Sequence, residues 1–135
     1  MDLVESVYAV VVALPRSEDF GLAPQMRRAV VSVPANIAEG FGRTTARDYA
    51  NFLSIAKGSV METETLLLVA GRLGYVDDAQ VSMSLAISGE VGRMLSALRL
   101  RVVENPAEAP RVSEVGAEYF AGIQTIVPGS GEPKD

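Results

Sequence analysis

Neither cysteine nor histidine occurs anywhere in the 135 residues. The first absence excludes a disulfide framework and a thiolate metal site. The second removes the commonest general base and the commonest transition-metal ligand together. Long apolar runs are missing too: none approaches the roughly 18 residues needed to span a bilayer. No basic stretch precedes an apolar one at the N-terminus, so no secretory leader is read there and the cytoplasm is the expected compartment. Neither a GxGxxG run nor a P-loop is present, which leaves nucleotide cofactors without support. No catalytic residue, cofactor or metal is expected.

What the chain does have is an ordinary globular composition, 48% hydrophobic and 21% charged, at a length suited to one domain. Its net charge of −5 is uneven. Residues 1–103 carry 10 basic and 11 acidic groups, against 2 and 6 in residues 104–135. The acidity therefore belongs mainly to the C-terminal segment.

Apolar residues recur at helical spacing in four stretches, which predicts an all-α, up-and-down antiparallel four-helix bundle over residues 1–103. The first stretch holds Leu3, Val7, Val11 and Leu14, widened by Val4 and Tyr8, and Pro15 stops it. The second places Leu22, Met26, Val30 or Ala29, Val33, Ile37 and Phe41 on one face. Pro24 suits its first turn, Pro34 predicts a kink, and Gly40 and Gly42 close it. Ala23 stands where a capping Ser or Thr would be usual, predicting a weak start. The third helix is capped by Thr45 with Asp48 three residues on. It carries Tyr49, Phe52, Leu53, Ala56, Val60, Leu67 and Ala70, and ends at Gly74. Asp77 caps the fourth, where Met83, Ile87, Val91, Met94 and Leu98 form the expected apolar stripe.

Beyond Asn105 the texture becomes acidic and punctuated by Pro106, Pro110, Pro128 and Pro133. Val112, Val115, Tyr119, Ile123 and Ile126 still recur at helical spacing, although Gly116 and Gly122 each weaken a helix by about 1 kcal/mol. A solvated tail and a short docking segment over 112–127 are both readings of this region. With four stripes complete before it, the bundle is expected to stand without the tail.

The stretch from Gln25 to Tyr75 carries a specific run, Pro-Ala-Asn-Ile-Ala-Glu-Gly at 34–40. Gln25, Arg27, Arg28, Ser32, Pro34, Asn36, Ala38, Glu39, Gly40 and Arg43 resemble the second-helix signature of the 23S ribosomal RNA intervening-sequence protein family. Phe52, Leu53, Ala56, Gly58, Ser59, Glu62 and Glu64, then Leu73, Gly74 and Tyr75, resemble its third-helix signature. The fold is shared with accessory variability proteins of diversity-generating retroelements. The resemblance implies a left-handed bundle assembling into a ring, often a homopentamer. For the retroelement branch it implies contact with a reverse transcriptase and nucleic acid; that branch is basic, and this bundle is not.

Read on their own spacing, Gln25, Arg28, Ser32, Asn36, Glu39 and Arg43 form one polar stripe along helix two. It is open to three readings: a solvated face, a structural network or subunit seam, and a ligand or nucleic-acid site. Glu62 and Glu64, two apart, fall on different sides of a helix and do not suit one metal ion. Gly58 and Ser59 are expected to admit a close helix approach, and Lys57 to be solvated. Nucleic-acid contacts, if made, would fall to Arg27, Arg28, Arg43, Arg47 and Lys57, with Arg93, Arg99 and Arg101 on helix four. These positions lack interleaved aromatics, so binding would be phosphate-led and weak. The resulting expectation is a non-enzymatic homo-oligomeric scaffold or adaptor. Its partners would be itself and a protein bound through the tail or a ring face, with no membrane association. A nucleic-acid-associated accessory protein is the alternative.

Overall fold

The computed structural model describes residues 1–109; the segment 112–127 lies outside the described residues. Four α-helices follow one another: α1 Asp2–Ala13, α2 Leu22–Phe41, α3 Ala46–Arg72 and α4 Asp78–Glu104. No strand occurs among the described residues. Short connections set consecutive helices antiparallel, and α1 packs on both α2 and α4 to close the bundle. The helices are unequal, at 12 residues for α1 and 27 each for α3 and α4.

Local chemistry explains each boundary. Leu14, ahead of Pro15, takes the extended conformation (φ −67°, ψ 145°), and α1 stops there. Thr45 Oγ1 accepts from the Asp48 N–H at 3.2 Å, and Asp77 Oδ1 from the Gln80 N–H at 2.8 Å, so both expected caps form. Gly74, at φ 74°, ends α3. There the Tyr75 N–H reaches the Ala70 carbonyl and the Gly74 N–H the Gly71 carbonyl, the paired bonds of a Schellman close.

The start of α2 is stronger than Ala23 suggests. The cap comes from Glu18, in a 3₁₀ turn at Arg16–Glu18, whose Oε2 accepts from the Leu22 N–H at 2.8 Å. The other oxygen accepts from the Tyr75 hydroxyl at 3.3 Å, tying the α1–α2 connection to the α3–α4 connection. Helix α2 then continues through Pro34 to Phe41 without a break in its assignment.

The core has two halves. In one, Leu3, Val7, Val10 and Val11 of α1 meet Leu22, Met26 and Val30 of α2, Leu67 and Ala70 of α3, and Val81 of α4. In the other, Val33, Tyr49, Leu53, Ala56, Val60, Leu95 and Val102 come from α2, α3 and α4 alone. The expected faces of α2 and α3 are the buried ones, with Phe52 partly covered. On α1, Val10 joins the core, whereas Tyr8 is 40% exposed.

Helix α4 follows its expected stripe only in part: Ile87, Val91 and Leu98 pack against the core, but its two methionines do not follow. Met83 and Met94 are 51% and 64% exposed, while Val81, Ser84, Ser88, Leu95 and Val102 are buried. The face is turned because small hydroxyl residues fit where helices approach closely, and their polar atoms find partners. Ser84 Oγ pairs with Ser6 Oγ of α1, and Ser88 Oγ donates to Glu64 Oε1 at 2.8 Å. Hydropathy alone ranks methionine above serine; close packing reverses the order here.

Candidate functional site

The polar stripe on α2 divides into a joined centre and exposed ends. At its centre Ser32 Oγ lies 2.7 Å from Ser59 Oγ of α3. Asn36 Nδ2 donates both to the Ser32 carbonyl at 2.8 Å and to Ser32 Oγ at 3.0 Å. Ser59 Oγ also lies 3.2 Å from the Ile55 carbonyl, which takes its proton and leaves Ser32 to donate across the seam. Thr63, fully buried, donates to the Ser59 carbonyl at 2.8 Å. This network is saturated by its own members and holds no base that could activate a hydroxyl. It is a seam between α2 and α3.

The ends of the stripe behave differently. Gln25 and Arg28 are exposed. Glu39 and Arg43 form an ion pair at 2.7 Å with both side chains well exposed, and the Arg43 guanidinium sits 4.6 Å from the Phe52 ring centroid. Within one chain, Arg28, Asn36 and Glu39 therefore do not share a network.

Beside that seam α2 and α3 approach closely. A Cβ on Gly40 would stand 3.0 Å from both Phe52 Cβ and Tyr49 Cδ2. The Tyr49 ring packs on Phe41 at 5.4 Å, and its hydroxyl is buried with no hydrogen-bond partner among the described residues. Burial pushes the Tyr49 phenol up to about 12, with the positive charge of Arg101 opposing the shift. Burial, followed by the adjacent Glu18 carboxylate and its hydrogen bond, also raises the Tyr75 phenol. Both are structural tyrosines.

Of the basic residues, the fold gathers only some. Arg47 and Arg99 flank a cleft of about 690 Å³ between the start of α3 and the end of α4, shared with Asp48, Asn51 and Ser54. Arg99 Nε donates to Ser54 Oγ at 2.7 Å. Lys57 lines the adjoining groove with Arg99 and donates to Ser96 Oγ. Arg27 and Arg28 lie on α2 and Arg43 just past its end; α2 packs on α1 and α3 and so stands diagonally from α4.

Glu62 is exposed and Glu64 is engaged by Ser88. Among the described residues no group of three or more acidic side chains is placed to hold a metal ion. Of the expected close-approach pair, Ser59 meets Ser32 of α2, whereas a Cβ on Gly58 would meet nothing within 4 Å among the described residues. Gly58 opens instead onto the groove of about 510 Å³ that holds Lys57, Met61 and Leu100.

Several large apolar side chains face outward. On α3, Met61 and Leu68 are 60% and 51% exposed, on the same side as Gly58 and Thr65. On α4, Leu100 and Val103 are more than half exposed. Phe20, in the α1–α2 connection, is fully exposed. Spacing alone did not reveal the outward strip on α3, because a methionine reads as core and Leu68 stands within the apolar run Leu66 to Ala70.

Comparison with known proteins follows the fold. A family model described as 23S rRNA-intervening sequence protein matches residues 1–97. A crystal structure of a protein of unknown function from the S23 ribosomal protein family of Bacteroides thetaiotaomicron superposes with a TM-score of 0.67. The two chains are 24% identical over 73% of this chain and 92% of that one, a likeness of fold. No curated protein matches. No helix among the described residues is long and apolar enough to cross a membrane.

Proposed function

This chain belongs to the 23S rRNA-intervening sequence protein family, and from that premise we propose that it is a non-enzymatic, cytoplasmic scaffold or adaptor working as a closed homo-oligomeric ring of five subunits. The observation that carries this reading is the outward apolar strip of α3, with Met61 and Leu68 exposed and Gly58 leaving room beside them. A second copy packed there would bury this surface, and a glycine lets its backbone come close. The saturated Ser32–Asn36–Ser59 seam supports a structural role for the family-signature residues over a chemical one.

Light scattering of the purified protein tests the reading. The expected mass is about five times the 14.3 kDa of one chain, and the double variant Met61→Glu, Leu68→Glu should shift it toward the monomer. Both positions are exposed, so the bundle itself tolerates the change. A clean monomer at micromolar concentration in the unaltered protein refutes the proposal.

The Arg47–Arg99 cleft favours one second reading, association with ribosomal RNA. Its contacts would be phosphate-led, so binding should fall steeply with salt and weaken in Arg47→Ala and Arg99→Ala. Weak binding is expected at physiological ionic strength. Tight binding that persists through moderate salt would place RNA ahead of the scaffold.

A further inference from the structure

One half of the bundle lacks a fourth helix. Helix α1 covers the half built around Val7, Met26 and Leu67, adds no residue to the buried cluster built around Val33, Leu53 and Leu95, and touches that half only at its edge, through Leu3 and Val4. Past the N-terminal end of α1, the diagonal helices α2 and α4 face one another across an apolar groove of about 330 Å³. Val33, Pro34, Ile37 and Phe41 line one side, Met94 and Leu98 the other. The walls are almost wholly apolar, and Met94 is 64% exposed.

We propose that the chain's own C-terminal segment, residues 112–127, docks in this groove as an amphipathic helix and fills the corner that α1 leaves open. Three observations select this occupant. The first is where the described chain leads. After α4 ends at Glu104, a 3₁₀ turn at Pro106–Glu108 follows, and Ala109 packs against the buried cluster of Val33, Leu53 and Leu95, on which Ile37, Phe41 and Leu98 of the groove also pack. The next residues therefore start at this same half of the bundle, with Pro106 behind them on the α3 side of α4. The second is direction. A segment returning from the end of α4 runs antiparallel to it, which is the direction α1 takes beside α4.

The third is pattern and length. The α4 wall of the groove runs from Val91 to Leu98, a rise of about 11 Å, which Val115 to Ile123 would span as a helix of about 12 Å. Val112, Val115, Tyr119, Ile123 and Ile126 are spaced 3, 4, 4 and 3 apart, giving one apolar face, with Glu114 and Glu118 off it. Gly116 and Gly122 lower the intrinsic helix propensity. The segment thus gains its helix from the groove, and docking is reversible.

The absence of cysteine allows a direct test on the full-length protein. A single Met94→Cys substitution places a thiol in the groove, and Met83→Cys places one outside it on the same helix. The reaction rate of each variant with a thiol reagent is compared with and without Tyr119→Lys and Ile123→Lys in the tail. The expected result is at least a tenfold faster reaction of Met94→Cys when the tail is altered, an unchanged rate for Met83→Cys, and no dependence on protein concentration. Equal rates for Met94→Cys in both backgrounds overturn the proposal. So does protection that survives the tail substitutions or grows with concentration, since a second copy then covers the groove. Neither outcome depends on whether the apolar strip of α3 forms the ring.

Discussion

Replacing Tyr49 by phenylalanine should stabilise the bundle near neutral pH and flatten its response to alkali. Tyr49 is 4% exposed, its ring packs on Phe41, and Gly40 lies against its edge. Phenylalanine keeps all of these contacts. What it removes is a buried hydroxyl with no partner among the described residues, and such a group costs about 1–3 kcal/mol when left unpaired. A gain of about 1 kcal/mol is therefore expected at pH 7. The pH dependence follows from the phenol, which burial raises from 10.0 to about 12. Because the folded-state value lies above the unfolded one, the unfolded chain releases this proton first. The stabilisation is fully present below pH 10 and is lost as the pH rises toward 12, to a total of about 3 kcal/mol. Urea titrations from pH 7 to pH 11 at fixed protein concentration compare the two proteins directly. The wild type should lose stability more steeply than Tyr49→Phe above pH 10. Coincident alkaline limbs, or a loss exceeding about 1 kcal/mol in the variant at pH 7, would refute the reasoning.

Two further substitutions probe residues that the sequence and the structure weigh differently. Glu18→Ala removes both the cap on Leu22 and the acceptor for Tyr75, and should cost about 1–2 kcal/mol by urea titration; no measurable loss would mean that neither contact matters. Glu39→Ala breaks only an exposed i,i+4 ion pair and should cost less than about 0.5 kcal/mol in a dissociated chain. A loss above about 1 kcal/mol that appears only in the assembled protein would instead put Glu39 in a subunit seam.

Elements defined by strong local signals were legible from the amino acids alone. Thr45, Gly74 and Asp77 mark helix ends through backbone chemistry that needs no tertiary partner, and they stand where expected. The faces of α2 and α3 were equally plain, since their apolar residues recur without competition. Helix α4 was not, because its core positions include Ser84 and Ser88, whose burial depends on partners from α1 and α3. Glu18 escaped notice for a related reason: its carboxylate caps α2 from a turn four residues upstream, a reach that no local pattern encodes. In the polar stripe, the spacing of Ser32 and Asn36 sets them one helical turn apart, but only folding brings Ser59 to them. The gathering of Arg47, Lys57 and Arg99 likewise depends on how α3 and α4 pack.

The brevity of α1 bears on how the chain is made. At synthesis rates of about 5–20 residues per second, α1 is made on the order of 10 s before Val81 to Val91, the part of α4 that covers it. Its face of Leu3, Val7, Val10 and Val11 must wait through that interval, because its contacts are with α2 and α4. A short valine-rich segment held open has strong strand propensity and is a natural chaperone client. The same thin attachment lets α1 open without the rest of the bundle, so its amide protons should exchange ahead of those in α3. Helix α1 is synthesised first and should be the last to settle.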